Sequence, residues 1–243
     1  MDSPLHHFEL HPIIPLSVMG VDISINKAVI AMWVGLVIVF ALFMLVVNKG
    51  TKAIPGKMQS VLEIAMEFIR GMVDEFIGKK EGKKYFSFVA TVFIFILTCN
   101  LIGLVPGSYT ITSQLAVTGA FALGIFLMTL VIGFSRHGMH FLTILVPPGI
   151  PKIMIPVMIP IEVISMLARP LSLSVRLFAN MTAGHTVLAV LFGLAMSASI
   201  WIGWMPFGFT VIINGLEIAI AFIQAYIFTT LTCVYIGDVI NLH

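Results

Sequence analysis

The chain has 243 residues, of which 59% are hydrophobic and only 10% charged, with a mean hydropathy of +1.10. A soluble domain carries about 25% charged residues, so the composition excludes that class and points to a multi-span helical membrane protein. The net charge is +2, and the two cysteines, Cys99 and Cys233, form no CxxC pair; neither a nucleic-acid patch nor a disulfide framework is indicated.

Residues 1–27 read as an exported N-terminal tail. Residues 1–25 hold Asp2, Glu9 and Asp22 and no lysine or arginine. A signal peptide needs a basic start followed at once by an apolar core, so this segment is expected to be retained. His6, His7 and His11 lie in it and read as solvated side chains rather than metal ligands.

The first span is expected over 28–47. Residues 58–77 differ: Met58, Val61, Leu62, Ala65, Ile69, Met72, Val73 and Phe76 make one apolar face, opposite Glu63, Glu67, Arg70 and Asp74. This helix is expected to lie on the membrane surface. Lys79, Lys80, Lys83 and Lys84 follow it. A second span is expected over 85–105 and a third over 115–134. After Arg136 and His137 comes a Pro-rich stretch, VPPGIPK, ending at Lys152. Two long apolar segments, 157–197 and 206–240, complete an expected single domain of five crossings plus one interfacial helix.

Basic residues orient such a chain. Segment 48–84 holds eight of the thirteen lysines and arginines and segment 136–152 two more, whereas loops 106–114 and 198–206 hold none. Basic loops face the cytoplasm. The N-terminus is therefore expected outside and the C-terminus inside.

The last two segments are longer than a bilayer needs. Taken as 159–196, the first gives about 57 Å of helix against a hydrocarbon core of about 30 Å. Strong tilt is expected, with Pro160 and Pro170 as candidate kinks. Arg176 falls at its midpoint, where a charge costs about 2.5–3.5 kcal/mol on insertion scales, and intramembrane ionisable groups are functional by default. Ser172, Arg176 and Asn180 recur every four residues and make one polar stripe. Arg169 is nearer the inner surface and is expected to snorkel.

With a turn near residue 201, antiparallel arithmetic sets His185 level with Glu217, Arg176 with Gln224, and Glu162 with Asp238. Protonatable groups thus fall at two depths, His185 and Glu217 outside, Glu162 with Asp238 inside. Carboxylates and histidines relay protons, but an arginine cannot release its proton. A continuous proton wire is interrupted at Arg176, unless a carboxylate on another protein carries the proton past it.

These residues resemble the a-subunit family of F-type ATP synthases over nearly the whole chain. The stretch PLSLSVRLFANMTAGH carries the resemblance most specifically; IAFIQAYIFTTLTCVYI is similar to the family's last helix, and LHHFELHPIIPL to its alphaproteobacterial start. The resemblance implies that Arg176 is the essential stator arginine. It implies that His185 and Glu217, with Asn180 and Gln224, line the outer half-channel. Glu162 and Ser172 belong to the inner half-channel, where Asp238 is also expected, and Asn100 is a further polar position. The His-then-Glu order resembles the mitochondrial and alphaproteobacterial version. Implied partners are a c-ring, b-type stalk subunits against 58–77, and the lipid bilayer, with no cofactor, metal or nucleic acid. The implied location is a bacterial inner membrane, or alternatively the mitochondrial inner membrane. A proton-coupled secondary transporter fits less well, because such proteins show repeats and none is found here; a pure scaffold leaves a midplane arginine unexplained.

Overall fold

The computed structural model describes residues 12–14, 17–18, 21–22, 24–48, 56–104, 111–145, 152–197 and 203–241. His6, His7, His11, Lys49, Lys52, the stretch 146–151 and the turn near residue 201 lie outside the described residues.

Among the described residues, six α-helices dominate: α1 (Lys27–Asn48), α2 (Lys57–Phe76), α3 (Lys79–Gly103), α4 (Leu115–His137), α5 (Ile155–Ser197) and α6 (Trp204–Ile240). By length and apolarity α3, α5, α6 and α4 with the 3-10 segment after it could each cross a membrane, while the apolar stretch found in α1, Val29–Ala41, is shorter. The tail departs from an all-α reading. Strands β1 (Pro12–Ile14) and β4 (Ile25–Asn26) pair antiparallel, as do β2 (Ser17–Val18) and β3 (Val21–Asp22). Their β-branched residues, Ile13, Ile14, Val18, Val21 and Ile25, favour extended backbone.

Helix α3 begins six residues before the expected start, because lysine and glutamate are good helix formers and carry the helix through KKEGKK. Gly78, at φ +95°, ends α2 in the left-handed region. Arg136 and His137 lie in the last turn of α4, where cations oppose the helix dipole favourably. Neither Pro160 nor Pro170 breaks α5, which runs 43 residues. At about 1.5 Å per residue it is about 64 Å long.

The chain divides into two compact units, one of residues 1–54, 94–115 and 177–225, the other of 55–93, 116–176 and 226–243. The first buries Ile96, Cys99, Asn100, Leu177, Met181, Ala221 and Ala225. The second buries Ile69, Met72, Val73, Val89, Phe93, Phe228 and Ile236. There the Phe68 ring lies 6.0 Å from that of Phe93 and 5.8 Å from that of Tyr226, and the Thr230 hydroxyl donates to the Met72 sulfur at 3.5 Å. The apolar stripe of α2 is therefore divided. Ile69, Met72 and Val73 in its second half are buried, while Val61 in the first half remains 64% exposed.

Candidate functional site

Polar residues cluster separately in the two units. In the second, Glu162 and Arg169 stand two helical turns apart on α5 and share a face. The Arg169 guanidinium lies 3.9 Å from Glu162 Oε1 and 3.5 Å from Asp238 Oδ2, and 5.5 Å from the centre of the Tyr235 ring. The carboxylate separations exceed hydrogen-bond length, so these are charge contacts, joined by a cation–π contact. One arginine thus gathers the two acids that the hairpin arithmetic sets level. Arg169, which was expected to snorkel, also has these three partners.

Arg176, two turns further along α5, is different. It is exposed, as is Ser172 one turn before it, and it makes no hydrogen bond or ion pair among the described residues. Ser174 points elsewhere: it is buried, and its hydroxyl lies 3.2 Å from that of Thr118 on α4.

The first unit holds the other cluster. Asn180 Nδ2 on α5 donates to Gln224 Oε1 on α6 at 2.8 Å. Gln224 is buried, and its amide nitrogen has no partner among the described residues. Asn100 on α3 donates to the Ala221 carbonyl at 3.3 Å, one turn before Gln224. Glu217 is 6% exposed, and neither carboxylate oxygen has a hydrogen-bond partner among the described residues. It faces Gly184, where a Cβ would lie 2.5 Å from its Oε1. Helix α5 can approach this acid so closely only because residue 184 has no side chain. His185 is half-buried, and its imidazole hydrogen-bonds the backbone of Gly103. The structure therefore brings Glu217 to the neighbour of His185, not into a bond with its ring.

Sequence reasoning passed over Ser174, Thr118 and Asn214. The Asn214 side-chain oxygen is buried without a partner among the described residues. Its signal was available, since Asn214, Glu217 and Gln224 recur at three and seven residues and so occupy one face of α6. The Ser174–Thr118 pair had no such signal, because it depends on which helix lies beside α5.

Two comparisons bear on this arrangement. The family model described as ATP synthase A chain matches residues 29–237. The chain is 48% identical to ATP synthase subunit a of Magnetococcus marinus, covering 99% of this chain and 94% of that one. It is 43% identical to ATP synthase subunit a of Rhodospirillum rubrum over 100% of both chains, and 42% identical to that of Pelagibacter ubique over 99% and 98%. With long apolar helices, a polar row inside them and this likeness over its full length, the chain belongs to the ATP synthase A chain family.

Proposed function

We propose that this chain is the non-catalytic membrane stator subunit of a rotary F-type ATP synthase in a bacterial inner membrane, delivering protons to and from carboxylates on a c-ring. Its outer half-channel uses His185 and Glu217 with Asn180 and Gln224. Its inner half-channel uses Glu162 with Ser172 and Asp238, and Asn100 supports the outer path by holding α6 at Ala221.

The observation that carries this reading is the contrast between two arginines on one helix. Arg169 is surrounded by its own acids. Arg176 is exposed and has no acid of its own among the described residues. A charge at that depth is costly unless paired, so its partner belongs on another chain. A ring carboxylate supplies one. Protonated from outside past His185 and Glu217, that carboxylate is neutral and can turn into lipid. After nearly a full revolution it releases its proton toward Glu162, and the anion is drawn to Arg176. The fixed charge bars a direct leak from one half-channel to the other, and reversal gives ATP-driven pumping.

Five crossings, with α1 as the first, put the basic segments 48–84 and 136–152 in the cytoplasm and the N-terminus outside. At about 64 Å, an unbroken α5 fits a core of about 30 Å by lying strongly tilted along the ring. The exposed first half of α2, with Glu63, Glu67 and Arg70 beside it, meets b-type stalk subunits.

The test is Arg176→Ala in vesicles carrying the whole complex. ATP-driven pumping is expected to vanish, and passive leak with the catalytic head removed is expected to be undiminished or raised. Normal pumping would show that the arginine is structural and would end this mechanism.

A further inference from the structure

At the start of α3 and the end of α4, both within the second unit, lies a cleft of about 290 Å³ that the proton path does not use. Its centre is an ion cluster. Arg136 approaches Glu81 Oε2 at 2.7 Å, and Lys84 donates to the same oxygen at 3.3 Å. Two cations share one carboxylate, so one positive charge is left over. A guanidinium has five N–H donors and an ammonium three; most of them point to no acceptor in this cluster. Lys80 and Lys83, both exposed, add charge of the same sign nearby.

The other wall is apolar. Val131 is 66% exposed, and Ile132, Tyr85 and Ser135 complete the lining. Depth follows from the sequence. Helix α3 changes at Tyr85 from KKEGKK to YFSFVATVFIFIL, and α4 changes from LMTLVIGF to Ser135 and Arg136. Both apolar stretches stop at the cleft, which places it at the polar boundary of a membrane. A tyrosine at that level is the usual interfacial anchor.

An occupant must offer anionic oxygens to Arg136 and Lys84 and an apolar body to Val131. A phosphodiester suits guanidinium and ammonium donors. A free phosphate ester would leave the Val131 wall uncovered, and a zwitterionic headgroup would bring a cation among the lysines. We propose that this cleft is a binding site for an anionic phospholipid, its phosphate held by Arg136 and Lys84 and its acyl chains running along Val131. Basic pockets between membrane helices serve this purpose generally.

The test is native mass spectrometry of the full chain released from detergent micelles, titrated with phosphatidylglycerol or phosphatidylcholine. The first phosphatidylglycerol is expected to bind more than tenfold tighter than phosphatidylcholine. The double substitution Lys84→Gln/Arg136→Gln is expected to weaken it by about thirtyfold, as the loss of two near-membrane cations implies. Glu81→Gln frees both cations from their carboxylate and is expected to tighten it several-fold, a gain that misfolding cannot produce. A control that removes the same charge elsewhere, Lys57→Gln/Lys152→Gln, is expected to change little. Equal affinity for the two lipids, an equal loss in the control, or weaker binding by Glu81→Gln would each overturn the proposal. Displacement by soluble glycerol phosphate would assign the cleft to a free phosphate ester and reject the lipid.

Discussion

Gly184 on α5 and Glu217 on α6 stand closer than any side chain at residue 184 would permit, since a methyl group there would lie 2.5 Å from Glu217 Oε1. Nothing else among the described residues holds that carboxylate by a hydrogen bond. Its position is therefore set by packing, and the carboxylate fills the space that a side chain at residue 184 would take. Gly184→Val is expected to displace the acid and slow ATP-driven pumping by about tenfold or more, a barrier increase of about 1.4 kcal/mol. Gly184→Ala is expected to fall in between. Alanine is the better helix residue by about 0.5–1 kcal/mol, so a variant that is more helical yet slower separates transport from folding. Full pumping by a correctly inserted Gly184→Val would show that the placement of Glu217 does not matter.

The Asn180–Gln224 hydrogen bond, at 2.8 Å, links α5 to α6 two turns from that acid. Gln224 is 1% exposed and its amide nitrogen already lacks a partner among the described residues. Asn180→Ala leaves its oxygen stranded as well, at a cost of about 1–3 kcal/mol. The double variant Asn180→Ala/Gln224→Leu removes the stranded group, so it is expected to be more stable than Asn180→Ala alone. Denaturant unfolding of the full chain measures this, and simple additivity of the two changes would mean that the pair is not coupled.

Much of this geometry was legible because an antiparallel helical hairpin has few freedoms. Once the turn is set near residue 201, the level of every residue on α5 and α6 follows from rise per residue. That arithmetic set Glu162 level with Asp238, which share Arg169, and Glu217 level with His185, next to the Gly184 that it faces. It set Gln224 level with Arg176, whereas Gln224 bonds Asn180, one turn further along α5. It could not foresee side-chain direction. The His185 ring turns to Gly103 on a third helix, and the Arg169 guanidinium meets two acids and a tyrosine. Contacts that depend on neighbours outside the hairpin, such as Ser174 with Thr118, left no periodic trace. Nor did the paired strands of residues 12–26, whose ladders are two or three residues long and leave too short an alternation to read.

The Arg136–Glu81 pair makes a pH prediction outside the apolar stretches. The Arg136 guanidinium hydrogen-bonded to Glu81, aided by Lys84, holds the Glu81 carboxyl below its ordinary value of 4.5, against a smaller opposing effect of burial. A lowered folded value means that the pair's contribution is fully present above pH 4.5. It is lost as pH falls through the lowered value. Carbon-13 titration of the labelled Glu81 carboxyl in the full chain is expected to give a midpoint below 4.5, and Arg136→Gln is expected to move it upward. An unmoved midpoint would mean that the two side chains do not pair in the membrane-embedded chain.

The two arginines of α5 are expected to answer mutation differently. The Arg169 group is partly exposed, its side chain at 34%, that of Glu162 at 22% and that of Asp238 at 49%, and its contacts are 3.5 Å or longer. Ion pairs so screened are worth about 0.2–1 kcal/mol. Arg169→Lys keeps the charge between the two acids but loses the planar face that lies over Tyr235, so it is expected to pump at close to the normal rate. Arg169→Gln leaves Glu162 and Asp238 without their shared cation and is expected to pump at a reduced rate while folding normally. Arg176 has no hydrogen-bond or ion-pair partner among the described residues to lose, so Arg176→Gln is expected to leave stability unchanged and stop pumping altogether. ATP-driven pumping and thermal unfolding, read on the same vesicle preparations, separate these outcomes. If Arg169→Gln proved as inactive as Arg176→Gln, with stability intact in both, the division between a structural arginine and a transport arginine would not stand.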